Sequence, residues 1–172
     1  MTAPHGRTGV RRAIIILPGA FTTGNMFFGI WSIVEAARGE FERAAWFIVI
    51  AGVMDALDGR VARLTRTGSD FGAEFDSLAD VISFGVAPAL LWHFKFFPGG
   101  WGWLVPFIFI LGVALRLARF NVEQAGHAKT QFYGLPSPAA GGTIATLVPF
   151  MGTPFFKAHL INLPWHLLTP ML

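Results

Sequence analysis

The chain has 172 residues, of which 53% are apolar and 13% charged, with a net charge of +3 and no cysteine. Eighteen Phe and six Trp add more apolar surface than a soluble domain of this size hides, so a lipid environment is the better reading; disulfides and thiolate metal sites are excluded. Lys and Arg sit between apolar runs, which fits membrane topology and lipid head groups rather than nucleic acid.

The first apolar run, Ala13 to Leu17, is short and stops at Pro18-Gly19 with no small-residue cleavage site, unlike a cleavable signal. Arg11 to Leu17 is expected as a short interfacial helix. Five longer apolar stretches follow, near 20–38, 42–64, 71–95, 101–121 and 137–156. Each approaches the roughly 20 residues that cross a bilayer. A sixth begins near Leu160, but its residues to Leu172 include Pro164 and Pro170, so it is expected to be cut short. The fold class is therefore an all-α, polytopic membrane helical bundle of about five to six spans, one domain over 1–172. Arg7, Arg11, Arg12, Arg60, Arg63, Arg66, Arg116, Arg119 and Lys129 fall on the side of the N-terminus. Arg38, Arg43, Lys95 and Lys157 fall on the other, so the N-terminus is expected in the cytoplasm.

The second and third stretches share an acidic cluster. Asp55 and Asp58 stand three apart on one helix, and Asp76 and Asp80 four apart on the next. Both spacings place the two carboxylates on one face. The connection Leu64 to Asp70 is short, so the helices are expected as antiparallel neighbours with four carboxylates converging between them. An unpaired acid in hydrocarbon costs roughly 2.5–3.5 kcal/mol on insertion scales, and four together repel. A hard divalent cation bound by carboxylate oxygens offsets both penalties, and a two-metal site clamps phosphate in a displacement. Gly59 and Gly72 let a ligand approach the backbone, and Arg63, one turn beyond Gly59, suits phosphate. Caps, salt bridges to nearby arginines, and a proton or cation path are the alternatives.

The stretch from Asp55 to Asp80 carries Asp55, Asp58, Gly59, Ala62, Arg63, Gly72, Asp76 and Asp80 at the spacing D-x2-D-G-x2-A-R-x8-G-x3-D-x3-D. It resembles the signature of the CDP-alcohol phosphotransferase family at every fixed position. The resemblance implies a six-helix membrane core that transfers a substituted phosphate from a CDP-linked donor to an alcohol, releasing CMP. It implies that Asp55, Asp58, Asp76 and Asp80 hold two divalent ions, Mg²⁺ or Mn²⁺, and that Asp80 is also the base on the acceptor hydroxyl. Gly59, Ala62, Arg63, Ser69 and Gly72 would meet the CDP part, with Thr22 lining the nucleotide pocket. Gly19 stands where relatives often carry Asn.

Ser83-Phe-Gly-Val-Ala-Pro88, Arg116-Leu-Ala-Arg119-Phe-Asn121 and Phe132-Tyr-Gly-Leu-Pro136-Ser-Pro138-Ala resemble the phosphatidylserine synthase branch. That branch implies CDP-diacylglycerol and L-serine as substrates, a homodimer, and a place in the cytoplasmic (inner) membrane of a prokaryote with the active site facing the cytoplasm. A serine carboxylate suits a cation such as Arg116 or Arg119, and a helix start near Ser137 favours an anion. Asn121 completes the expected acceptor set. Anchoring of a helix end at the lipid surface is the bland alternative for the two arginines. Other acceptors, glycerol phosphate or inositol phosphate, stay open, as does a cation or proton transporter. His93, His127, His159 and His166 show no ligand spacing and read as interfacial. Trp92, Trp101 and Trp103 read as an aromatic belt, and Glu74 as a loop-side charge.

Overall fold

A computed structural model describes residues 7–65, 70–126, 137–154 and 156. Every element in it is helical. Helix α1 runs over Arg7–Ala37 and α2 over Phe41–Thr65. The turn between them depends on Gly39, which takes φ 84°, a region that costs other residues strain. Its N–H reaches the Ala36 carbonyl at 3.1 Å, and the next N–H, of Glu40, reaches back to Glu35 at 3.0 Å. That pair of bonds is a Schellman stop. It folds α2 back along α1, and small side chains let the two backbones come close: Ala36, Ala44, Ala45 and Ala51 are fully or almost fully buried. Ser32 Oγ donates across this seam to the Ala44 carbonyl at 2.8 Å.

The expected interfacial helix over 11–17 is not a separate element. Helix α1 continues through it and through Pro18 without a break. The five expected spans otherwise correspond to helical stretches. The third is composite: α3 (Asp70–Asp80), a π-helical turn over Val81–Val86, and α4 (Ala87–Phe96). Pro88 supplies the physical reason. It has no N–H, and its ring crowds the carbonyl four residues back, that of Phe84. The wider turn relieves this, and the Ala87 N–H bonds the Ile82 carbonyl five residues back. A 3₁₀ turn over Gly100–Trp103 leads into α5 (Leu104–Gly126), and α6 covers Ser137–Gly152.

The π turn is where the helices meet. On α1, a Cβ added at Gly29 would lie 2.9 Å from the Ser83 Cα. On α6, one at Gly141 would lie 2.7 Å from the Phe84 Cα. Phe84 joins Ala36, Ala44, Ala45, Ile48, Ala87, Leu91, Ala145 and Val148 in one core. Helix α5 touches the turn through Val113 against Gly85 and leaves Val105, Phe107, Ile108, Leu111 and Leu115 exposed. Such an apolar outer face suits lipid.

Among the described residues, two stretches, Phe71–Phe96 and Gly100–Val122, are long and apolar enough to cross a membrane. The protein is thus an all-α, membrane-associated helical protein. Trp101 and Trp103, expected in an aromatic belt, are exposed and stacked on each other. Trp92 departs from that expectation: its indole N–H donates to the Ile144 carbonyl at 3.0 Å, tying α4 to α6. Glu74 is exposed on α3. His93 is half-buried; His127, His159 and His166 lie outside the described residues, as does the segment 160–172.

Candidate metal centre

Three helices build the site. Helix α2 presents Asp55 and Asp58, and α3 presents Asp76 and Asp80. One oxygen from each of Asp55, Asp76 and Asp80 falls within 4.8 Å of the others. Three like charges at that separation repel by on the order of 3 kcal/mol per pair at an effective dielectric near 20. Among the described residues no Lys or Arg forms an ion pair with any of the four aspartates. The salt-bridge alternative therefore finds no support here.

Asp58 stands beside the triad rather than in it. It is buried, at 5% exposure, and its Oδ2 accepts a hydrogen bond from the Thr22 hydroxyl of α1. Three residues further along α1, Asn25 is fully buried and donates its Nδ2–H to Asp80 Oδ1 at 3.1 Å. Its own carbonyl accepts from Ser83 Oγ at 3.0 Å, which docks α1 on the π turn directly after Asp80. Asn25 Oδ1, Asp58 Oδ1 and Asp76 Oδ1 are buried without a hydrogen-bond partner among the described residues. Buried acceptors are ordinarily satisfied. An all-oxygen donor set with three such orphans fits a hard divalent cation.

Asn25 was not among the residues expected at the site. The signal was present as a pattern: Thr22, Asn25, Gly29 and Ser32 repeat on one face of an otherwise apolar helix, and all four are buried. Thr22, expected to line a nucleotide pocket, donates to Asp58 beside the acidic triad.

The other expected contacts are spread more widely. Arg63 is exposed, and its Nε–H donates to the Gly59 carbonyl at 2.8 Å, so the guanidinium lies back along its own helix. Ala62 and Gly72 are half-buried, and Ser69 lies outside the described residues. Arg116 donates to the buried Ser137 Oγ at 2.8 Å, joining α5 to the start of α6. Asn121 and Ser77 exchange hydrogen bonds at 3.0 and 3.3 Å, so part of the expected acceptor set is tied to the helix that carries Asp76 and Asp80. Ser77 has no motif signal of its own; a 44-residue separation hides that pairing from any local pattern. Arg119 is exposed.

The family model described as CDP-alcohol phosphatidyltransferase matches residues 15–169. The chain is 44% identical over 137 residues to the CDP-diacylglycerol–serine O-phosphatidyltransferase of Helicobacter pylori, covering 78% of this chain and 58% of that protein. It is 49% identical over 128 residues to the protein of the same description from Methanocaldococcus jannaschii, covering 74% and 58%. With the Mycobacterium tuberculosis protein of that description it shares 38% over 152 residues, covering 84% and 52%. The chain spans about half the length of the curated relatives it matches.

Proposed function

The chain belongs to the CDP-alcohol phosphatidyltransferase family, and from that premise we propose that it transfers the phosphatidyl group of CDP-diacylglycerol to the hydroxyl of L-serine, giving phosphatidylserine and CMP. The observation that carries the chemistry is the convergence of the Asp55, Asp76 and Asp80 oxygens on one point. Relatives described as CDP-diacylglycerol–serine O-phosphatidyltransferases support the substrates.

When bound at the four aspartates, two divalent ions, Mg²⁺ or Mn²⁺, supply charge neutralisation for the phosphates and for the leaving CMP. Asp58 and Asp76 each offer a buried acceptor oxygen without a hydrogen-bond partner among the described residues, and Asp55 brings a further carboxylate oxygen to the same point as Asp76. Asp80 takes the proton from the serine hydroxyl as it attacks the phosphorus nearest the lipid; this needs hydrogen-bond reach in the bound complex. Gly59, Ala62 and Gly72 leave room for the CDP part, and Ser69 and Thr22 add polar contacts. Arg63 swings from the Gly59 carbonyl to the donor phosphates. Arg116, Arg119, Asn121 and Ser137 bind the serine, with the Arg116–Ser137 bond at 2.8 Å opening to admit its carboxylate. The protein would sit in the cytoplasmic membrane of a prokaryote through five to six spans, as a homodimer, with the aspartates facing the cytoplasm.

The test is CMP release by purified protein with CDP-diacylglycerol and Mn²⁺ against serine, glycerol phosphate and inositol phosphate. Serine-dependent CMP is the expected result. Release with another acceptor alone overturns the serine assignment, and no release with any acceptor overturns the transferase reading.

A further inference from the structure

Two of the four aspartates are treated differently from the other two. Asp58 and Asp80 each have one oxygen bonded to a side chain of α1, Thr22 and Asn25 respectively. The remaining oxygen of Asp58 is buried and has no hydrogen-bond partner among the described residues. Asp76 has a buried, unpartnered oxygen too, and receives no such bond from α1. Thr22 and Asn25 sit one turn apart on one buried face, are 3% and 0% exposed, and are held down by Ser83 and by the tight approach at Gly29. They are rigid donors, placed before any ligand arrives.

A donor on one carboxylate oxygen competes for that oxygen's lone pairs and biases coordination to the other. That bias matters for the choice of ion. Ca²⁺ takes about six to eight oxygens and accepts both oxygens of one carboxylate, whereas Mg²⁺ demands near-octahedral geometry with shorter bonds. Mn²⁺ shares that octahedral oxygen preference. We propose that Thr22 and Asn25 form a lock on α1 that restricts Asp58 and Asp80 to one-oxygen coordination and so selects Mg²⁺ or Mn²⁺ over Ca²⁺. The inference rests on the metal part of the proposed function and not on the substrates.

The test is direct ion binding to the full chain in detergent, without substrate, by the Mn²⁺ paramagnetic signal and its displacement by Ca²⁺. In the Thr22→Val, Asn25→Leu double variant, the preference for Mn²⁺ over Ca²⁺ is expected to fall by about tenfold, the lower end of what partners of metal ligands contribute. Thr22→Ser keeps the hydroxyl and is expected to keep the wild-type ratio. Should Asn25→Leu fail to fold, Thr22→Val alone, nearly isosteric, is expected to move the ratio in the same direction. An unchanged ratio in a folded Thr22→Val protein, or an equal change in Thr22→Ser, overturns the lock. Absence of Mn²⁺ binding by the wild type overturns the metal site itself, a separate result.

Discussion

Helix α1 carries buried polar groups at two places along its length, and the two are built oppositely. At the turn, Glu35 is 6% exposed and its Oε1 has two donors: the Trp31 indole N–H at 3.1 Å and Arg38 at 3.0 Å. About 15–20 Å away along the axis, Asn25 and Thr22 face Asp80 and Asp58, where buried oxygens are left without partners among the described residues. A carboxylate that the chain itself satisfies contributes to structure. A cluster that the chain assembles and leaves with unpartnered oxygens among the described residues suits a cation, whose charge offsets the repulsion.

Removing metal probes this contrast most severely. Chelation is expected to abolish CMP release, and Mn²⁺ or Mg²⁺ to restore it; turnover that survives exhaustive chelation contradicts the metal assignment. Asp80→Asn is expected to lower turnover by about 10²–10⁴-fold, the range for loss of a general base. The same substitution removes a repelling charge, so the thermal midpoint of the metal-free protein should stay level or rise. A drop in that midpoint would mean that Asp80 is structural, as Glu35 is.

Gly29→Ala comes next. Its Cβ would fall 2.9 Å from the Ser83 Cα, a backbone atom that cannot swing aside. A loss of about 1–3 kcal/mol is expected from overpacking, read as a lower midpoint, together with weaker Mn²⁺ binding as α1 lifts Asn25 from Asp80. Glu35→Gln has the smallest effect. The amide keeps an acceptor for Trp31 but loses the charge opposite a largely exposed Arg38, so less than about 1 kcal/mol is lost and turnover is unchanged. Loss of turnover in that variant would break the distinction between the two ends.

Much of the site was legible from residue order. Asp55, Asp58, Asp76 and Asp80 announce themselves because acids are rare in apolar helices and a helix repeats every 3.6 residues. Three of the four do converge. The helical stretches after the first were legible as long apolar runs, to within a few residues at most ends. The interfacial helix was not, because Pro18 reads as a stop while the chain carries α1 through it. Trp92 read as interfacial because local pattern does not reveal that Ile144 offers a carbonyl across the bundle.

What residue order determines by itself is which chemistry the helix faces can hold: carboxylates at spacings of three and four, glycines beside them, and apolar length around them. Those depend on one helix at a time. Tertiary structure alone decided how the carboxylates differ from one another. Asp58 and Asp80 are set apart from Asp55 and Asp76 by donors 36 and 55 residues earlier in the chain. Those donors are brought to them by the Gly29 contact with the π turn at Ser83. Contacts between helices depend on which faces pack, and packing depends on small side chains and backbone width, which no local spacing records.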